Sequence, residues 1–270
     1  MRHLDLSRDQ TRGRDRRGRS RPLPFRSAIP RHFSPTVGPN AATKCNSETF
    51  RLAIMAHMRI SEIFYSLQGE GLYSGLPMTF IRLQGCPFRC RWCDSEYTWN
   101  PKGGDELSLE TVLAKVRDYP TKHVCITGGE PLAQPRDFLA LTRALHERGY
   151  WQEVETSGGY ALPMQAPVDS WVLDIKCPGS GMEAINKYTE LARLRDQDQV
   201  KFVVATRADF DFAREVLAKH ETKAAVLFSP VFGETNTTEI AEWLKEAGLP
   251  NARLSLQLHK VLWPGVTRGV

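Results

Sequence analysis

The chain has 270 residues, 41% of them hydrophobic and 25% charged, which is ample for one enzyme-sized core. No apolar run approaches the roughly 18 residues that a membrane-spanning helix needs, and the composition excludes collagen-like, coiled-coil and disulfide-scaffold classes. The net charge of +5 is concentrated at the start: residues 1–57 hold 12 Lys and Arg against 4 Asp and Glu, and the rest 24 against 27. The basic balance is therefore no argument that the body of the chain binds nucleic acid.

Residues 1–57 open with MRHLDLSRDQTRGRDRRGRSRPLPFRS, which is Arg-rich and nearly free of apolar periodicity. Such a stretch cannot offset its ordering entropy by burial, so a disordered basic leader is expected. It lacks the apolar segment of a secretory signal. A transit peptide or a nucleic-acid arm would also be Arg-rich, but Asp5, Asp9 and Asp15 oppose the former. The plainest expectation is an upstream extension of a chain that starts at Met55 or Met58, with the domain proper over 58–270.

From Arg59 onward, β-branched runs alternate with helical patterns. MTFIRL (78–83) reads as a strand with Phe80 and Arg82 on one face. LSLETVLAKVRDY (107–119) reads as a helix carrying Leu109, Val112, Leu113 and Val116 on one side. Further strands are expected at 123–127, 152–156, 170–175, 199–205 and 224–229, and helices at 137–148, 207–219 and 236–247. RLSLQLH (253–259) reads as the closing strand, with His259 at its end. Six or seven such units predict an α/β fold, a full or partial parallel β/α barrel. A doubly wound sheet is the alternative, because periodicity does not report closure.

Three of the six cysteines are packed into Cys86-Pro87-Phe88-Arg89-Cys90-Arg91-Trp92-Cys93. Cys45 lies in the leader, and Cys125 and Cys177 read as small buried residues in or beside strands. A C-x3-C-x2-C loop can wrap an iron–sulfur cubane and leave one iron open. Disulfides fit poorly, since three close thiols cannot all pair. Structural zinc wants four ligands, and no Cys or His lies between Cys93 and His123. Iron–sulfur is the favoured reading and zinc the surviving rival. The expected strand HVCIT then runs into Gly128-Gly129-Glu130-Pro131, a turn whose glycines let backbone approach a ligand closely, or simply make a tight connection.

With these two motifs together, the chain resembles the radical S-adenosylmethionine superfamily. Around them, RISEIFYSLQGEGLYSGLPMTFIRLQGCPFRCRWCDSEYTW, TGGEP, ETSG (155–158), VLDIKCPGSG (172–181) and SLQLHKVLWP (255–264) resemble the 7-carboxy-7-deazaguanine synthase family over residues 58–270.

The resemblance implies a [4Fe-4S] cluster on Cys86, Cys90 and Cys93, with S-adenosylmethionine on the open iron and a magnesium ion at Ser95. It implies ring contraction of 6-carboxy-5,6,7,8-tetrahydropterin with loss of ammonia, on the deazapurine route to queuosine. Substrate would meet Leu67, Gln68, Gly69, Glu70, Arg82, Thr127 and His259. The cofactor would meet Trp92, Asp94, Gly129, Ser157, Asp174, Ile175, Lys176 and Ser229. An electron-donating reductase or flavodoxin, a homodimer, a cytoplasmic setting and no direct nucleic-acid partner complete the expectation.

The residues themselves allow the same roles. Arg82 can fork onto a carboxylate, and Gln68 and Glu70 can meet a pterin's amide-like edge, although a solvated turn is the ordinary reading of such a stretch. Two departures stand out. Ser95 follows Cys-Asp where the family commonly has Thr, and the chain continues past His259-Lys260 to Val270, so a contact from a chain terminus placed just after that pair does not carry over. The alternatives are another radical S-adenosylmethionine enzyme such as a glycyl-radical activase, or a zinc-stapled nucleic-acid-binding protein.

Overall fold

The computed structural model describes residues 57–270. The expected leader, Cys45 included, lies outside the described residues except for His57, which opens the first strand. Nine strands form one sheet: β1 (His57–Leu67), β2 (Pro77–Leu83), β3 (Asp105–Ser108), β4 (His123–Gly128), β5 (Trp151–Thr156), β6 (Ser170–Ile175), β7 (Gln199–Val204), β8 (Ala225–Pro230) and β9 (Ala252–Leu254). Their order is β3-β1-β2-β4-β5-β6-β7-β8-β9. From β2 through β9 every pairing is parallel, whereas β1 runs antiparallel to both β2 and β3.

Of the two expected forms, the partial barrel is the one found. The sheet begins at β3 and stops at β9, and the antiparallel pair at one edge was not anticipated.

Strand alternation sorts the side chains. Val124, Ile126, Val154, Leu173, Ile175, Val200, Phe202, Val226 and Phe228 join the main core under the helices. Their alternating neighbours, among them Cys125, Glu153, Glu155, Asp174, Lys201 and Ser229, turn to the other face, so the inner side of the sheet is polar. The outer helices are α1 (Leu109–Arg117), α2 (Pro135–Glu147), α3 (Arg207–Lys219) and α4 (Thr237–Ala247). The apolar side of α2 buries Phe138, Leu141 and Leu145, at the i, i+3, i+7 spacing of one helical face. A capping box formed by Thr206 and Asp209 starts α3.

Two expected boundaries are corrected. The helix expected from residue 107 begins at Leu109, because Leu107 and Ser108 pair with Met58 and His57 in the β1–β3 ladder. The Ser108 hydroxyl then caps α1, accepting from the Thr111 amide. The closing strand is also shorter than expected: β9 ends at Leu254, and the chain turns into a short helix α5 (Leu258–Leu262). His259 therefore sits on a helix. No helix among the described residues is long and apolar enough to cross a membrane.

Candidate active site

The C-terminal ends of the parallel strands open into a cavity of about 650 Å³, the end at which β/α barrels carry their sites. Free thiols of Cys86, Cys90 and Cys93 border one side, all half-buried. Burial pushes the Cys86 thiol up to about 11 and raises Cys90 as well, with the Lys176 ammonium drawing the latter back. The thiol loop rests on the GGEP turn. Gly129 donates its amide to the Leu83 carbonyl at 3.0 Å, and Glu130 donates to Gly85 at 2.9 Å. A Cβ on Gly129 would lie 2.5 Å from the Gly85 oxygen and 2.9 Å from Cys86 Cβ, so the close seating needs glycine. Buried Glu130 accepts from Thr156 Oγ1 at 2.9 Å, the Ser157 amide at 2.8 Å and the Ser157 hydroxyl, which ties the ETSG strand end to this turn.

Gln68 is buried, not a residue of a solvated turn. Its Nε2 donates to Glu153 and, at 3.2 Å, to Glu155, and lies 3.7 Å from Cys125 Sγ. Cys125, Glu153 and Glu155 have the spacing of a metal-ligand group, but all three converge on that amide nitrogen. Burial, with Glu155 beside it, raises the Glu153 carboxyl to about 8. Thr127 Oγ1 donates to Glu155 Oε2 at 2.9 Å. Arg82 borders the cavity and donates Nε to Glu62 at 2.8 Å.

Helix α5 closes another side. Leu258 donates its amide to the Gly69 carbonyl at 2.9 Å. A Cβ on Gly69 would fall 2.1 Å from His259 Nδ1. Burial lowers the His259 pKa against the pull of the Glu70 and Asp94 carboxylates, which favours the neutral imidazole.

A chain of charges crosses the floor. Lys176 meets Asp174 at 2.9 Å, and Lys201 reaches Glu70 at 3.1 Å and Asp174 at 3.8 Å. Gln257 joins Glu70 at 2.9 Å to Asp94 at 3.2 Å, and Lys260 meets Asp94 at 3.1 Å. Burial works against the Lys201 charge, yet Glu70 and Asp174 hold its ammonium well above the usual lysine range. Burial likewise opposes ionisation of Glu70, and only Lys201 and the Gln257 hydrogen bond together, helped by His259, hold its carboxyl below the usual range.

Every expected site residue borders the cavity except Ile175, whose side chain lies in the core on the other face of β6. Trp92 and Ser95 stand near the thiols in sequence, and the Ser95 hydroxyl donates to Asp94 at 3.0 Å. Sequence reasoning missed Tyr97, Glu155, Lys201, Gln257 and Lys260, all of which border the cavity. Two of these had a signal: Lys201 is a lone charge in the run QVKFVV, and Glu155 is one of two glutamates two residues apart on a central strand. The segment after α5 also returns here, with residues 264–267 and Val270 at the cavity edge.

The residues present fit a cluster and a polar cofactor. Three thiols border one space, while Asp174 Oδ1 and Ser229 Oγ are buried there without a hydrogen-bond partner among the described residues.

The Radical SAM superfamily profile matches residues 80–168. Fold and site together define a radical S-adenosylmethionine enzyme, with the [4Fe-4S] cluster and S-adenosylmethionine that this class uses. Two 7-carboxy-7-deazaguanine synthases are each 40% identical: that of Koribacter versatilis, over 79% of this chain and 100% of its own length, and that of Methanospirillum hungatei, over 76% and 85%. A crystal structure of QueE from Escherichia coli superposes with a TM-score of 0.65 at 30% identity, covering 79% of this chain and all of that one. The chain belongs to the 7-carboxy-7-deazaguanine synthase family.

Proposed function

We propose that this chain converts 6-carboxy-5,6,7,8-tetrahydropterin to 7-carboxy-7-deazaguanine with loss of ammonia, as a step toward queuosine, and that residues 58–270 form the catalytic domain. The carrying observation is that the thiols, Arg82, Thr127 and the Gln68–Glu70 turn border one cavity of about 650 Å³, sized for a small substrate beside a cofactor. When bound, the cluster and S-adenosylmethionine supply one-electron chemistry able to remove hydrogen from an unactivated carbon.

The protein's part is to bind, orient and exclude water. Cys86, Cys90 and Cys93 hold the cluster, and Gly129, Ser157, Asp174, Lys176, Ser229, Trp92 and Asp94 surround the cofactor. Arg82 receives the substrate carboxylate on its two Nη groups, since Nε is already bonded to Glu62. Glu155 and Thr127 face the pterin's amide-like edge, and Gln68 holds Glu155 in place. Neutral His259 offers a hydrogen bond without adding charge. Ser95 would offer a hard oxygen to a magnesium ion, whereas Asp94 is already engaged by Lys260 and Gln257.

An electron-donating reductase or flavodoxin, a homodimer and a cytoplasmic setting belong to the same reading. Exposed Val261, Leu262 and Val266 support a protein contact near α5. The test is anaerobic reconstitution followed by incubation with the carboxytetrahydropterin and mass analysis for the deazaguanine. A brown protein that cleaves S-adenosylmethionine but yields no deazaguanine would favour the activase reading, and a colourless one would favour zinc.

A further inference from the structure

Glu62 lies outside the cavity wall, yet its carboxylate touches two parts of the site at once. It sits on β1 directly across from Arg82 on β2, just after an irregularity in the ladder between Ile60 and Glu62, the kind of feature that re-aims a side chain. Oε1 accepts from Arg82 Nε at 2.8 Å and from the Tyr97 hydroxyl at 2.9 Å. Oε2 accepts from the Gly269 amide at 3.1 Å and lies 3.6 Å from Arg268 Nε. Arg268 also donates to the Ser61 carbonyl at 3.1 Å, and its guanidinium carbon stands 4.7 Å from the centre of the Tyr97 ring. The segment so held, residues 264–270, forms part of the cavity edge.

We propose that Glu62 is a positioning residue that couples two events: it fixes the Arg82 guanidinium end-on to the substrate carboxylate, and it clasps segment 264–270 across the mouth of the cavity. The inference rests on the pterin reading for the identity of that carboxylate, but the clasp stands on its own contacts. Both carboxylate oxygens are used, one for each task, so the position of the strap and the aim of Arg82 are set by one group. With Nε occupied, Arg82 can bind a carboxylate only through Nη1 and Nη2, which selects substrates whose acid group lies along that axis. A strap across the mouth would exclude water from the bound substrate.

Glu62→Gln, Arg268→Ala and the double variant test this in the reconstituted protein. Two quantities are read: KM and kcat with 6-carboxytetrahydropterin, and the amide-exchange rate of the peptide covering residues 264–270. Glu62→Gln should raise KM by about tenfold, the order expected for one charge-assisted hydrogen bond, with kcat changed far less. It should also speed exchange of the strap by about tenfold. Arg268→Ala, which also removes the Ser61 and Tyr97 contacts, should speed exchange at least as much while raising KM less, and the double variant should exchange faster than either single variant but by less than the product of their two effects. Parent-like exchange in Glu62→Gln overturns the clasp. Faster exchange with unchanged KM overturns the coupling to Arg82. If the parent itself does not turn over the pterin, it is the proposed function that fails, and the exchange rates still decide the clasp.

Discussion

The methyl group of an alanine at position 69 would have to share space with the imidazole of His259, 2.1 Å from Nδ1. Gly69→Ala should therefore push His259 and α5 outward while leaving the core intact, since the collision is with one side chain at the cavity. The expected result is a melting temperature close to the parent's and a large loss of turnover. Full activity in that variant would show that His259 is free to move aside without consequence. At the other end of the pocket, Arg82→Lys keeps the charge but replaces a planar fork with a point contact. It should weaken pterin binding by about 1–3 kcal/mol, the range for a charge-assisted hydrogen bond, and leave iron content unchanged. Equal affinity in titrations of parent and variant would remove Arg82 from the carboxylate.

Residues of this kind differ in how far the sequence exposed them. The cysteine loop and GGEP turn are short local motifs, so their chemistry could be read directly. Gln68, Glu70 and Arg82 could be named through resemblance, but their engagement with Glu155, Lys201 and Glu62 depends on strands that meet only in the folded sheet. Glu62 itself gave no signal: a glutamate in RISEIFYSL is an ordinary surface residue until β2 and the last residues arrive beside it.

Among the elements, β5 is the most unusual, because a central parallel strand carries Glu153 and Glu155 on the same inner face. The raised Glu153 carboxyl has a consequence for stability. Folding strengthens its hold on a proton, so its contribution is fully present below the ordinary glutamate pKa and is lost as pH rises through about 8. Parent melting temperatures should therefore fall between pH 5 and pH 8.5, values chosen to bracket roughly that window. Glu153→Gln, which keeps a neutral group between Gln68 and Gln199, should flatten the fall. An equally steep profile in the variant would assign the pH dependence to another group.

The central strands β4 to β8 were legible because buried parallel strands are apolar on the helix side and end in recognisable turns. The closing segment was not. RLSLQLH alternates as a strand should, but after Leu254 tertiary contacts take over: Ser255 Oγ accepts from the Gly71 amide at 2.9 Å, Gln257 reaches Glu70, and Leu258 bonds to Gly69. Periodicity could not reveal a helix whose reason for forming lies about 190 residues earlier. The β1–β3 pair was hidden for the opposite reason, since its polar alternation resembles a loop flanking the cluster motif.

At the scale of the molecule, every site residue discussed lies at or beyond Glu62, and β1 opens at His57. A protein beginning at Met55 should accordingly keep β1 whole, fold, reconstitute its cluster and turn over at the parent's rate. Loss of most activity with the fold retained would give residues 1–54 a role in the reaction, and failure to fold would give them one in assembly.

The cavity edge contributed by residues 264–267 and Val270 also bears on how the protein is handled and made. Every strand of the sheet is complete by Leu254, so the residues that finish this edge of the pocket follow the whole scaffold in the chain. Anything fused after Val270, such as an affinity tag or a reporter, begins at the edge of the cavity and pulls on the Gly269 amide that bonds to Glu62. A tag placed there is a perturbation of the reaction chamber, and preparations carrying one should be compared with untagged protein before any rate is ascribed to the native enzyme.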